Sequence, residues 1–293
     1  MYMCGRCVST LSKARLANVA NVDIVDISAL PCYNAGPTFS LPIVYVDRGG
    51  IRQVRGMEWG LKPRFKTDVH LTTNNARVEG IEKSKLYSPL LQKNRCVLIV
   101  DAFYEWKSHK QPFLIRFSDA VPQTPIPLTN KRDSVSQQAD SSQELPPSFL
   151  PSGVSPLLMA GLYDEQDSHF SFTVVTMDAT GEVAKIHERM PLFLSAEDAG
   201  LWLDNVHSYK SIVDDLLSRS VSLSHKLHTV EVAQLVNSIK NQQADCVLPK
   251  KDYDQKQFSK GLGRFFTKTA ASPPSKKQRV CGCCVVSVYG IVR

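Results

Sequence analysis

The sequence predicts an α+β fold. Three observations carry that reading: many apolar or alternating runs of strand length, only a few stretches with helical spacing, and no strand–helix–strand alternation of the kind that winds a parallel sheet. A basic C-terminal tail follows and is expected to be disordered.

Taken in order, residues 8–30 place Leu11, Leu16, Val19 and Val22 at the spacing of a short helix, before an apolar stretch from Ile24 to Leu30. Residues 33–38 are rich in turn chemistry and read as a loop. Residues 41–46 are apolar and β-branched, bounded by Gly49-Gly50, and predict a strand that opens a hairpin. Residues 58–63 read as an exposed turn headed by Trp59, and residues 72–79 as a polar loop or helix start. Residues 95–101 predict a buried strand that continues through 107, and residues 112–117 another. Between Pro122 and Pro156 fall seven of the 17 prolines, with Ser and Gln between them. Residues 118–156 therefore hold too little apolar surface to offset their ordering entropy, and a disordered insertion is expected. Strands resume at 157–163 and, with clear alternation, at 170–176. His187 sits in a loop over 184–191. Ser195-Ala196-Glu197-Asp198 resembles a capping box opening a helix through Trp202, and Ile212, Val213, Leu216 and Leu217 share one face of a helix over 209–218. A last strand with a polar extension is expected in 228–247.

At 293 residues and 43 % hydrophobic content the chain can bury one sizeable core. Its apolar runs are shorter than a membrane span, and no signal-peptide core follows the start, so a soluble intracellular protein is expected. The eight scattered cysteines point to free thiols in a reducing compartment. The net charge of +7 is uneven. Residues 250–279 hold nine basic and two acidic side chains, which leaves 26 of each sign in the remainder. Any nucleic-acid groove on the globular part must then arise from local clustering rather than overall basicity.

The most reactive candidate is Cys4, in Met3-Cys4-Gly5-Arg6-Cys7. As a first residue it would carry a thiol and a free α-amine on adjacent carbons, both partly nucleophilic near neutrality. Such a pair condenses with an aldehyde to an imine, and the thiol then closes a thiazolidine ring. The same four residues also form a C-x-x-C, open to reading as a redox pair, half a zinc site, or inert cysteines. A zinc site would need a second close pair of thiols, and the candidate for it, Cys281, Cys283 and Cys284, stands at the far end of the chain.

Five motifs now stand in one order: Met3-Cys4-Gly5-Arg6, Trp59-Gly60-Leu61, Asn75-Ala76-Arg77, Phe103-Tyr104-Glu105-Trp106 and His187-Glu188-Arg189-Met190-Pro191. Together they resemble the SOS-response-associated peptidase (SRAP) family, over roughly residues 3–249, and Val236 to Asn241 is similar to that family's closing core motif. The resemblance implies an antiparallel β-rich domain that binds abasic sites in single-stranded DNA and shields them through a covalent thiazolidine at the N-terminal cysteine. It implies Cys4 as nucleophile, Asn75 as the hydrogen-bond partner of the amine, Glu105 as acid/base and His187 as proton shuttle. It also implies Arg6, Arg77 and Arg189 at phosphates, Trp59 stacked on bases, and Pro37 beside the DNA. No cofactor, metal or membrane partner is implied, and a nuclear monomer is expected. Alternatives of other classes are a cysteine peptidase acting in trans and a non-covalent reader of modified or single-stranded DNA. Two departures stand out. Met1-Tyr2 precede Met3-Cys4 where the family begins Met-Cys, so the reactive amine requires a start at Met3 or removal of the leader by the protein itself. Gly36 stands where the family usually joins Ala directly to Pro.

In the tail, residues 259–266 resemble a PCNA-interacting peptide with Leu262, Phe265 and Phe266 as its anchors, with Ser259 in place of the usual glutamine. The alternative is that these three side chains pack back on the domain. Residues 273–279 read as a nuclear-import patch, and residues 281–293 match no feature of the family.

Overall fold

The computed structural model describes residues 5–28, 31–63, 73–107, 110–118, 121, 124–128 and 155–269, the last nine as backbone only. The chain divides into two compact units, Met1–Tyr253 and Asp254–Arg293, and the sheets and cores belong to the first. No helix among the described residues is long and apolar enough to cross a membrane.

Among the described residues the strands form two sheets, mostly antiparallel. The larger is built on two hairpins. In one, β4 (Ser40–Val46) meets β5 (Arg52–Trp59) with Ser40 opposite Glu58 and Val46 opposite Arg52. Its turn is closed by Asp47, whose Oδ1 accepts from the backbone N–H groups of Gly49 and Ile51, while Gly50 takes the positive φ of 81°. In the other, β10 (Leu157–Gln166) meets β11 (His169–Asp178) across Asp167-Ser168, both at positive φ as a two-residue hairpin turn requires. Between the hairpins runs β7 (Arg95–Val100), buried at every residue. Short strands complete this sheet: β2 (Val25–Asp26) beside β5, and β6 (Asn75–Arg77) and β12 (Arg189–Pro191) on β11, with β13 (Phe193–Leu194) on β10.

The smaller sheet has the order β14-β9-β8-β1-β3: Leu227–Glu231, Gln111–Phe117, Ala102–Lys107, Cys7–Ser9 and Cys32–Ala35. The chain crosses between sheets at Asp101, which is wholly buried and accepts from Thr10 N (2.6 Å) and Thr10 Oγ1 (3.0 Å). Strand alternation then sorts the side chains. Cys7, Phe103, Ile115 and Phe117 join the main core between the sheets. Val8, Ala102, Tyr104 and Leu114 face the other way and form a second core with Val232, Val236, Cys246 and Val247 from the segment after β14.

Several short elements differ from the pattern read in the sequence. Cys7–Ser9 and Val25–Asp26 are strands on either side of helix α1 (Lys13–Ala20), not parts of a helical region, and Cys32–Ala35 is a strand rather than a loop. Each is two to four residues long and takes its conformation from the neighbour it pairs with. Trp59 ends β5 and is buried, not at the head of an exposed turn. Most of 118–156 lies outside the described residues. Within it Ile126 is buried, its N–H donates to Val19 O (2.9 Å), and Arg52 donates to Ile126 O (3.2 Å) and Pro127 O (2.8 Å). Residues 250–269 form a helix, α4, at the start of the stretch read as a tail.

The capping box at Ser195 is present: its hydroxyl accepts from Asp198 N at 3.1 Å and opens α2 (Ala196–Leu203). Trp202 of α2 is fully buried, with its indole N–H on Cys96 O (3.0 Å). Helix α3 (Tyr209–Ser224) extends one and a half turns beyond the predicted end. Arg95, 2 % exposed, holds the end of α2. Its guanidinium donates to the carbonyls of Leu91 (3.1 Å), Trp202 (2.6 Å), Asp204 and His207 (3.0 Å). Trp202 and Asp204 carry carbonyls that the end of α2 leaves without intrahelical partners, and Leu91 and His207 tie in the flanking loops. Burial lowers the Arg95 pKa to about 10, so the guanidinium stays charged near neutrality. Replacing Arg95 by Met would strand these carbonyls, and a loss of about 3 kcal/mol is expected. Thermal denaturation should show the midpoint falling by about 6–12 °C, and an unchanged midpoint would contradict the capping role.

Candidate active site

The expected site residues fall into two groups. Asn75 and Arg77 of β6, Arg189 of β12 and His187 just before β12 flank strand β11 of the larger sheet, whereas Arg6, Pro37 and Glu105 belong to the smaller one or its rim. Cys4, which precedes Gly5 and β1, lies outside the described residues.

In the first group, β6 lies parallel to β11 with Asn75 opposite Val174 and Arg77 opposite Thr176. On the other side of β11, Asp178 faces Arg189 and Thr176 faces Pro191. One strand therefore carries both motifs, although more than a hundred residues separate them in the chain. Trp59 fixes the first of these from within: its indole N–H donates to Asn74 O (3.0 Å), and its ring stacks on Phe172 with centroids 6.1 Å apart. At 3 % exposure that ring is a core residue, so the expectation that it stacks on DNA bases does not match its position. Tyr87 adds a hydrogen bond to Asn75 O at 3.2 Å. Arg77 is exposed at the end of β6.

His187 is held by its own neighbourhood. Its backbone N–H donates to Val183 O (2.9 Å), and its Nδ1 accepts the backbone N–H of Arg189 at 3.1 Å. The same Nδ1 lies 3.2 Å from Arg189 O, so the Arg189 backbone offers this ring nitrogen both a donor and an acceptor. Arg189, expected at a phosphate, is 6 % exposed and directed inward. Its fork meets Glu79 bidentately (Nη1–Oε1 2.7 Å, Nη2–Oε2 2.9 Å), and it also donates to Asp178 Oδ1 and Thr176 O. Nothing in the sequence singles out Glu79 or Asp178. Glu79 lies 110 residues from Arg189, and no spacing rule links them.

In the second group, β1 and β8 pair with Cys7 opposite Phe103 and Val8 opposite Ala102, and Tyr104 N donates to Arg6 O at 2.9 Å. Glu105 is 1 % exposed and, two residues from Phe103, shares its face towards the main core. Arg6 lies level with Tyr104 on the opposite face. Its guanidinium donates to Asn34 Oδ1 (2.9 Å) and Val236 O (3.0 Å) and sits 5.8 Å from the Trp106 ring centroid. Pro37 is half-buried between buried Gly36 and exposed Thr38. Gly36 packs closely here: a Cβ would come within 2.6 Å of Ile239 Cδ1 and 3.2 Å of Arg6 Cδ, and those side chains would have to shift. Cys7, the second thiol of the C-x-x-C, is 1 % exposed, and burial pushes its thiol well up. It behaves as a small core residue, which disfavours the redox and zinc readings of that motif. Among the described residues no group of His, Cys, Asp and Glu is arranged to hold a metal. Leu262, Phe265 and Phe266 lie within α4, and their side chains are outside the described residues.

The sequence model of the SOS response associated peptidase (SRAP) family matches residues 3–239. A chicken protein, abasic site processing protein HMCES, is 28 % identical over a 316-residue alignment covering 94 % of this chain and 88 % of the relative. The rat protein of the same name is 27 % identical, over 75 % of this chain but only 65 % of its own length. Abasic site processing protein YoaM of Bacillus subtilis is 25 % identical over 73 % of this chain and 83 % of the relative. Among solved structures, a Bacteroides thetaiotaomicron protein superposes with a TM-score of 0.59 at 18 % identity, over 83 % of this chain and 98 % of its own. A phage-related protein of Bordetella bronchiseptica gives 0.54 at 21 %, over 78 % and 94 %. These two likenesses establish a shared fold.

The Glu79–Arg189 pair makes a pH-dependent contribution. The hydrogen bond from Arg189 holds the Glu79 carboxyl below its ordinary value of 4.5. A carboxylate whose folded pKa is depressed stabilises fully above its unfolded value and loses that contribution as pH falls through the folded one. Glu79→Gln should therefore lower stability at pH 7, and the difference should be smaller at about pH 3, below the ordinary carboxyl value. Denaturant titrations of both proteins at the two pH values check this, and an equal difference at both would rule out the ion pair as its cause.

Proposed function

The chain belongs to the SOS response associated peptidase family, and from that premise we propose that it processes abasic sites in single-stranded DNA by joining Cys4 to them covalently. The observation that carries the proposal is the β1–β8 register. Continued one step beyond Cys7–Phe103 and the Tyr104 N to Arg6 O bond, it sets Gly5 level with the buried carboxylate of Glu105. Cys4 is bonded to Gly5, so the start of the domain and Glu105 are within one or two residues of each other.

The chemistry begins once hydrolysis of the Met3–Cys4 bond, or translation from Met3, frees the amine. Cys4 N adds to the aldehyde carbon of the ring-opened sugar and loses a proton. The carbinol oxygen is protonated and leaves as water, giving an imine. Sγ then adds to the imine carbon, its proton passes to nitrogen, and the thiazolidine closes. One water is released per adduct. Glu105 takes the amine proton and returns it to the departing oxygen. His187 shuttles the second proton and assists ring opening, and the Asn75 amide holds the amine and the linkage. Arg77, exposed at the end of β6, contacts phosphate, with Pro37 beside the strand. Arg6 and Arg189 act from inside, by fixing β1 and the His187 segment. A nuclear site of action goes with this reading, with Leu262, Phe265 and Phe266 of α4 as the anchor for PCNA.

The test is a denaturing gel of the protein, expressed from Met1 and from Met3, with an oligonucleotide carrying one abasic site. A denaturation-resistant adduct is expected, absent in Cys4→Ala and formed about 100-fold more slowly in Glu105→Gln. No adduct from either form would overturn the covalent reading. Salt-sensitive binding indifferent to the aldehyde would then make the protein a reader of single-stranded DNA.

A further inference from the structure

The segment after β14 makes contacts that the proposed chemistry does not use. Residues 234–237 and 244–247 form short 3₁₀ turns over the outer face of β1, β8 and β9. At the centre lies Asn34 of β3, wholly buried. Its Oδ1 accepts from Arg6 Nη1 at 2.9 Å, and its Nδ2 donates to the carbonyls of Val236 (3.1 Å), Ser238 (3.0 Å) and Asn241 (3.0 Å). Gln242 answers Asn34 on the backbone: its Oε1 accepts from Asn34 N (3.1 Å), and its Nε2 donates to Asn34 O (2.8 Å) and to Ile239 O (2.9 Å). Asn237 reaches the other strand, taking the Trp106 indole N–H on Oδ1 at 2.6 Å and donating to Lys110 O at 3.1 Å.

Two of the residues held in this way stand next to the chemistry. Arg6 is two residues after Cys4, and Trp106 directly follows Glu105. We infer that residues 234–242 form a clamp that sets the distance between nucleophile and carboxylate, with Asn34, Asn237 and Gln242 as positioning residues. The inference rests on the abasic-site reading above. The amine and Glu105 exchange a proton within a narrow geometry, and a displacement of about 1 Å from remote mutation can cost orders of magnitude in rate. Side-chain amides suit the task, because each has both a donor and an acceptor and so fixes direction as well as distance.

The experiment uses the full chain and an oligonucleotide with one abasic site. It measures the single-turnover rate at saturating DNA, the DNA concentration giving half that rate, and the thermal midpoint. Asn34 is fully buried, so half-buried Gln242 and Asn237 carry the test. Gln242→Glu and Asn237→Ala should each lower the maximal rate about tenfold while the half-saturating concentration moves less than about twofold. Asn237→Asp keeps an oxygen for the Trp106 N–H and should recover most of the rate. Parent rates in all variants, or losses that track DNA affinity or the thermal midpoint, would overturn the inference. Amide hydrogen exchange over residues 5–8 and 104–106 reads the clamp without the reaction. It should quicken in the two disruptive variants at these positions only, and unchanged exchange would refute the clamp. A parent chain that forms no adduct refutes the abasic-site reading instead, and exchange still decides on the clamp.

Discussion

The two-residue period of the smaller sheet is the constraint on which the site depends. A strand cannot turn Phe103 and Glu105 inward without turning Tyr104 and Trp106 outward, and both pairs are large. The inward face is covered by the larger sheet, and the outward face by the segment after β14. The second core is therefore a requirement of the first. A buried carboxylate facing the main core exists because a separate layer of Val232, Val236, Cys246 and Val247 closes the opposite side. Arg6 falls on that outer face for the same reason, as its level in the register matches Tyr104.

Arginine carries much of the long-range order. Arg6, Arg52, Arg95 and Arg189 each reach carbonyls or carboxylates on elements remote in sequence. The planar fork allows one side chain to meet several acceptors at fixed angles, which lysine cannot do. Taking a guanidinium out of water is costly, and the arrangement is tolerable because each fork meets several acceptors. Arg95 binds four carbonyls and keeps its charge despite a lowered pKa. Arg189 combines two carboxylates with a carbonyl, and its backbone N–H meets Nδ1 of His187.

The long strands were legible in the sequence because each carries its own pattern: the unbroken apolar run of 95–100, the alternation of 170–176, and the capping box at Ser195. The short ones were not. Asn75–Arg77 contains no strand signal, since its conformation is imposed by β11, and the same holds for Cys7–Ser9 and Cys32–Ala35. For the candidate site, motif order named the residues, but their orientation could not be read from it. The resemblance puts Trp59 and Arg189 at DNA, and the partners that hold them instead, Phe172 and Glu79, are ones no local spacing picks out. The partners of Asn34 lie more than two hundred residues away, beyond the reach of any local pattern.

Gln242 has a consequence beyond the site. Strand β3 is the outer edge of the smaller sheet, and an outer strand with open N–H and C=O groups is a template on which another chain can add itself. The Gln242 amide occupies both groups of Asn34 with the geometry of a peptide unit, so the middle of that edge is already paired by a side chain. The margin of the sheet is thereby closed at Asn34 to the addition of another strand, and a single glutamine does the work of a missing one.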